Sequence, residues 1–123
     1  GTIDCIASHH APQDWDHKVC EFEYAEFGNI GLQTTYSALE QTVPGLQPEQ
    51  ISNLLSGNAR QIFGLPSFSI NEGQAAELTI FNRTGTTTLT AKNNKSKSSN
   101  SAFMDMSLNG SIVATIHNNQ LSH

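Results

Sequence analysis

The chain has 123 residues, enough for one small domain. Six Lys and Arg stand against eleven Asp and Glu, a formal charge of -5, and no basic face interleaved with aromatics appears, which argues against nucleic-acid binding. No apolar run approaches the roughly 18 residues of a membrane span, and no charged leader followed by an apolar stretch opens the chain, so a cytoplasmic setting is expected.

Ile3 to Ser8 reads as a short parallel strand, apolar apart from Asp4 for most of its length. A central-type strand that starts within two residues of Gly1 has no preceding partner, so the chain is expected to be a piece of something larger. Residues 9–29 have no clean period and are rich in His, acids and aromatics. A long irregular loop after a parallel strand is where active-site residues gather.

From about Gly31 the spacing predicts a helix, with Leu32, Tyr36 and Leu39 on one face and Pro44-Gly45 at its end. Gln47-Pro48-Glu49-Gln50 predicts a second helix, with Pro early and an acid in the first turn. Ile51, Leu54 and Leu55 form its apolar face. Gly57 is expected to punctuate, and Asn58 to cap a third short helix that carries Ile62 and Phe63 and stops at Gly64.

After Leu65-Pro66 the period changes from 3.6 to 2. Glu77 to Phe81 alternates, and Thr86 to Thr90 is a β-branched run. Lys92 to Ser101 reads as a polar loop, Leu108 to Ile116 as a strand, and Asn118-Asn119 as a tight hairpin turn into Gln120-Leu121. The chain therefore divides into an α/β part over 1–64 and a small all-β part over 65–123.

Of the two cysteines, Cys5 reads as a small buried hydrophobe and Cys20 lies in a charged loop. Their spacing leaves a disulfide open, with reduced thiols the expected state in a cytosolic chain. Three sequons, at Asn82, Asn94 and Asn109, read as chance matches without a secretory leader.

Four blocks, in order, carry a family resemblance. Gly1 to Gln13, ending in Ala7-Ser8-His9-His10-Ala11-Pro12-Gln13, is similar to the last barrel strand of dihydroorotases and its tip, which reads Asp-His-Ala-Pro-His. Glu21 to Thr34, containing Phe27-Gly28-Asn29-Ile30-Gly31-Leu32-Gln33-Thr34, resembles an acidic stretch followed by Phe-Gly-x-x-Gly-Leu-Glu-Thr. Asn58-Ala59-Arg60-Gln61-Ile62-Phe63-Gly64-Leu65 resembles Asn-Pro-x-(Lys/Arg)-Ile-Leu-Gly-Leu. Ile70 to Phe81 resembles Ile-x-x-Gly-x-x-Ala-Asp-Leu-x-(Ile/Leu)-Phe, and a weaker echo runs from Lys95 to Phe103 and on through Leu108 to Ile116. Together they cover nearly the whole chain and resemble the C-terminal part of a dihydroorotase, a metal-dependent cyclic amidohydrolase of pyrimidine synthesis.

The resemblance implies an α/β fold: the last β/α unit of a TIM-type barrel over 1–64, then the C-terminal strands of a flanking β-domain over 65–123 that N-terminal residues complete. It implies zinc in the barrel mouth, with ligands mostly before residue 1, and a small cyclic-amide substrate. It further implies a homodimeric parent that includes a missing N-terminal part of the same protein, and no nucleic-acid or membrane partner. His9 stands at the position of the family's catalytic Asp, which moves protons at the scissile amide. Gln13 stands where a His helps hold the substrate carboxylate, and Phe27 and Gly28 match positions whose main chain approaches the substrate ring.

An imidazole can shuttle protons but brings no negative charge, and Gln brings no positive one. These departures predict that the parent's turnover is impaired and that the fragment alone is inactive. Two other readings follow from them: a non-catalytic homologue serving as structural partner of a carbamoyltransferase, and a hydrolase for another cyclic amide.

Plainer roles are expected elsewhere. His10 orients the loop through hydrogen bonds rather than binding metal. Asp14, Asp16 and His17 form a solvated loop, and Trp15 pins it by burying its ring. Arg60 makes a helix-surface or inter-domain ion pair, and Lys92, Lys95 and Lys97 lie in a solvated loop.

Overall fold

The structure, a computed structural model, describes residues 2–67 and 69–123. Gly1 of the first motif block lies outside the described residues. The described residues are mixed helix and strand, and their sheet is small and antiparallel, with three strands that lie side by side in chain order.

The expected strand over Ile3 to Ser8 does not form a ladder. Among the described residues its one long-range backbone-to-backbone bond runs from Ile6 N–H to Leu54 C=O at 2.8 Å, before a single parallel bridge joins His10 to Asn29. A parallel strand exists only by pairing with neighbours, and no strand among the described residues flanks this one. The apolar pattern is present without the partners that would convert it into sheet.

A one-turn 3-10 helix, Trp15–His17, interrupts the long loop. Helix α1, Thr35–Thr42, starts four residues later than its pattern suggested, because Gly31 to Thr34 forms a turn in which Thr34 and Thr35 amides bond to Gly31 C=O. Leu32 therefore lies outside the helix and is exposed, while Tyr36 and Leu39 point into the core. The helix ends before Pro44, as expected.

Helix α2, Pro48–Ser52, opens with a reciprocal capping box between Gln47 and Gln50 and with Pro in its first turn. Gly57 does not interrupt it. The chain continues through a π-helical turn, Asn53–Gly57, directly into α3, Asn58–Ile62. Asn58 is thus inside a continuous helical run, with helical φ and ψ of -67° and -39°, and is not a cap. Its side-chain amide instead donates to Asp4 C=O at 2.7 Å, tying the run to the extended N-terminal segment. The run stops at Gly64 in a Schellman arrangement, with Leu65 N–H on Arg60 C=O and Gly64 N–H on Gln61 C=O.

The two expected strand pieces before residue 90 form one strand, β1, Leu78–Thr88. It pairs with β2, Ser107–His117, and the register slips across Asn82 to Thr86. Asn118 and Asn119, at φ of 47° and 61°, make the tight turn into β3, Gln120–Ser122. Positive φ at both turn residues is the primed geometry that fits strand twist, and Asn tolerates it.

Tyr36, Leu39 and Ile51 form the core cluster, with Ile6, Leu46, Leu55 and Phe81 packed against it. The Tyr36 and Phe81 rings lie 4.8 Å apart. Polar bonds fasten α1 to the sheet. Buried Ser37 donates its hydroxyl to Gly110 C=O at 2.8 Å, and the Arg83 guanidinium grips Glu40 Oε1 through two nitrogens at 2.8 and 2.7 Å. The chain exposes 9156 Å², whereas a folded monomer of this mass exposes about 6,450 Å². The excess includes the rings of Phe22 and Phe27, each 94% exposed.

Candidate functional site

The His9 motif enters the long loop in an unusual conformation. His9 has φ of 45°, in the left-handed region, and its exposed ring makes no hydrogen bond among the described residues. A non-glycine residue held there is a pointer to function. Its neighbour His10 turns inward. His10 Nδ1 accepts from the Gly31 and Leu32 amides at 3.2 and 3.4 Å, so the ring fixes the loop to the turn before α1, the orienting role expected of it.

Two loop segments lie side by side. Ala11 N–H bonds to Asn29 C=O at 3.0 Å, and the Gln13 side-chain amide donates to Phe27 C=O at 3.0 Å. Gly28, at φ of 134°, sits so close to the motif that a Cβ there would fall 2.8 Å from both Ala11 Cβ and Ala11 O. Only glycine permits that approach. The structure therefore brings Gln13, Phe27 and Gly28 together and leaves His9 exposed, two residues before Ala11.

Lys18 reinforces this arrangement. Its ammonium donates to Glu26 C=O at 2.7 Å and Gly28 C=O at 3.2 Å, curling the 18–28 segment back on itself. Trp15 does not pin the loop. Its ring is 69% exposed, because Lys18 and the backbone already close the segment and the described residues offer the indole no pocket. The polar 94–102 loop completes the site from the β half. Asn100 Oδ1 accepts from Gln13 N–H, while Asn100 Nδ2 donates to Ala11 C=O and Gly28 C=O, both at 3.1 Å. Ser98 Oγ donates to Gln13 C=O at 2.5 Å and also contacts Asn100 Oδ1, and Asn29 Oδ1 accepts from Ala102 N–H.

Sequence reasoning missed Lys18, Ser98 and Asn100. Asn100 lies in a stretch of Asn, Lys and Ser without period, and no local signal separates it from its neighbours.

Among the described residues no three His, Cys, Asp or Glu side chains converge as metal ligands. Cys5 and Cys20 are both free thiols. Arg60 reaches Ser56 Oγ and Pro66 C=O. A cavity of about 770 Å³ lies away from the loops, between the 52–61 helical run and residues 65–78. Among the described residues no helix is long and apolar enough to cross a membrane.

No protein-family model matches the chain. Individual enzymes do. It is 35% identical to the dihydroorotase of Caldicellulosiruptor saccharolyticus over 98% of its own length, 37% identical to that of Mycobacterium tuberculosis over 94%, and 29% identical to that of Fusobacterium nucleatum over 100%. The chain spans 28–30% of the length of these relatives. Taken with the four motif blocks in order, these matches make the chain a homologue of the dihydroorotases that corresponds to their C-terminal part.

Proposed function

We propose that this chain is the C-terminal segment of a dihydroorotase-like cyclic amidohydrolase, which interconverts carbamoyl-aspartate and dihydroorotate in pyrimidine synthesis. The observation that carries the reading is the apposition of Gln13, Phe27 and Gly28, three positions matched to the family's substrate wall, beside His9. In this reading residues 1–64 end a TIM-type barrel and residues 65–123 are part of a composite β-domain.

The exposed area supports a missing partner. The excess of about 2,700 Å² over a self-sufficient monomer is what an N-terminal part of the same protein would cover. Zinc, implied by the family, takes three or four ligands. The described residues offer no such set, so they alone do not fit the metal, and its ligands are assigned mostly to residues outside this chain. What this chain brings to ring opening is main chain around the substrate and the exposed imidazole of His9. His9 can accept a proton from attacking water and return it to the departing ring nitrogen. It lacks the anionic charge of the Asp it replaces. In this reading the parent works as a cytoplasmic homodimer.

A second reading is a non-catalytic homologue, a structural partner for a carbamoyltransferase. One observation favours it: Phe27 C=O already takes one of the two N–H donors of the Gln13 amide, which leaves a single neutral donor where the family has a His for the substrate carboxylate.

Metal analysis and a dihydroorotate turnover assay on the full-length protein, with His9→Asp in parallel, separate the two. A tenfold or greater gain in turnover for His9→Asp supports an enzyme with a damaged site. Equal, substantial activity in both proteins refutes the claim that His9 impairs it. A metal-free protein inactive in both forms supports the scaffold.

A further inference from the structure

Asn100 commits both N–H donors of its amide and one acceptor position of its oxygen to the candidate site. Two carbonyls, Ala11 and Gly28, face its nitrogen, and one backbone N–H, Gln13, faces its oxygen beside the Ser98 hydroxyl. That partner set fixes the amide's orientation, since the flipped form would aim oxygen at two carbonyls. The main chain of the same residue takes part too, with Asn100 C=O accepting from Ile30 N–H at 3.1 Å. One residue of the 94–102 loop is therefore bonded to both walls at once, across sequence separations of 72 to 89 residues.

We infer that Asn100, backed by Ser98, is a positioning residue that sets the distance between the Ala11–Gln13 wall and the Phe27–Gly28 wall, and so the fit of a cyclic-amide ring against their main chain. The inference rests on the amidohydrolase reading for its ligand, but the spacing role stands on the hydrogen bonds. Only an amide of this length meets the requirement. Aspartate has the shape but no donors, so its carboxylate would face two carbonyl oxygens. Alanine would strip Ala11 C=O and Gln13 N–H of their Asn100 partner and leave Gly28 C=O to Lys18 alone. Lys18 still holds Gly28 C=O, so the Phe27–Gly28 wall keeps its own curl, and the walls stay joined only through the Gln13–Phe27 and Ala11–Asn29 bonds, without the brace that Asn100 adds.

The test uses the full-length protein with Asn100→Asp, Ser98→Ala and a control, Thr87→Val, which removes the bond from Thr87 Oγ1 to Gly110 C=O within the sheet region. Hydrogen exchange is read peptide by peptide, and steady-state kinetics are measured with dihydroorotate. Asn100→Asp is expected to speed exchange at least tenfold in peptides covering 9–15 and 26–31 while leaving 107–117 within twofold. KM should rise at least tenfold with kcat within threefold. Thr87→Val should perturb the sheet peptides and leave KM unchanged. If Asn100→Asp does not fold, Ser98→Ala decides, with the same peptides moving by at least threefold. Exchange unchanged in both loop peptides, or raised equally across the chain, overturns the inference. Absence of dihydroorotate turnover in both the unsubstituted protein and His9→Asp defeats the amidohydrolase reading instead, and the exchange data still decide the role of Asn100.

Discussion

Replacing Gly110 with alanine should damage the junction of α1 with the sheet, and Gly45→Ala provides the matched control. Both glycines have positive φ, 78° at Gly110 and 95° at Gly45. An L-residue there costs about 1–2 kcal/mol in backbone conformation. Their surroundings differ. A Cβ on Gly45 meets nothing within 4 Å, whereas one on Gly110 falls 2.8 Å from Tyr36 Cε1 and 3.4 Å from Glu40 Cγ. Tyr36 cannot retreat, because its ring packs on Phe81 and shares a core with Leu39 and Ile51. Overpacking of this kind costs a further ~1–3 kcal/mol. Gly45→Ala should therefore lose about 1–2 kcal/mol and Gly110→Ala about 2–5 kcal/mol. Chemical denaturation of the full-length protein, followed by circular dichroism, measures the difference. Losses equal within about 0.5 kcal/mol, the usual error of such comparisons, would refute the steric argument.

Three further outcomes are expected. The isolated 123-residue chain should give no sharp cooperative melt as a monomer, because of its excess exposed surface; a steep two-state transition in calorimetry would disprove this. The Tyr36 hydroxyl is buried without a partner, and burial raises its pKa, with the Glu40 carboxylate adding to the effect. Tyr36→Phe should then leave stability unchanged or raise it by about 1 kcal/mol, and a loss of that size would count against the reasoning. The His117 hydrogen bond, Nδ1 to Oε2 at 2.6 Å, holds Glu77 below its ordinary pKa of 4.5. A depressed folded pKa stabilises above the unfolded value and is lost as pH falls through the folded one. The melting-temperature difference between the unsubstituted protein and His117→Ala should accordingly shrink on acidification below pH about 4.5, and a constant difference from pH 6 to 3 would exclude the linkage.

The local rules carried the helices and the hairpin. Gln47-Pro48 and Asn118-Asn119 are short-range devices, and each did what its chemistry requires. Ile3 to Ser8 was misread because a strand is a relation between segments, and sequence displays only one of them. Asn58 was misread because a capping residue also serves inside a helix when a nearby carbonyl, here Asp4, needs a donor. At the candidate site, Gln13, Phe27 and Gly28 came from the family resemblance alone, and the structure sets them side by side. Asn100 stayed hidden because its four bonds are all made to backbone atoms or a hydroxyl far along the chain or in its own loop, and such partners leave no pattern in composition.

The reach of Asn100 also bears on the order in which the walls assemble. The Gln13–Phe27 bond closes 14 residues, and the Gln13–Asn100 bond closes 87. On loop-closure entropy alone the longer one costs about 1.6 kcal/mol more to form from the open chain. The two walls can thus meet early, as a local event, and receive their fastening only after the sheet has carried residue 100 into place. Contacts made that late are weakly formed in the folding transition state, so weakening them speeds opening far more than it slows assembly. The site's geometry is then a matter of lifetime: the walls find each other quickly, and the distant loop decides how long they stay together.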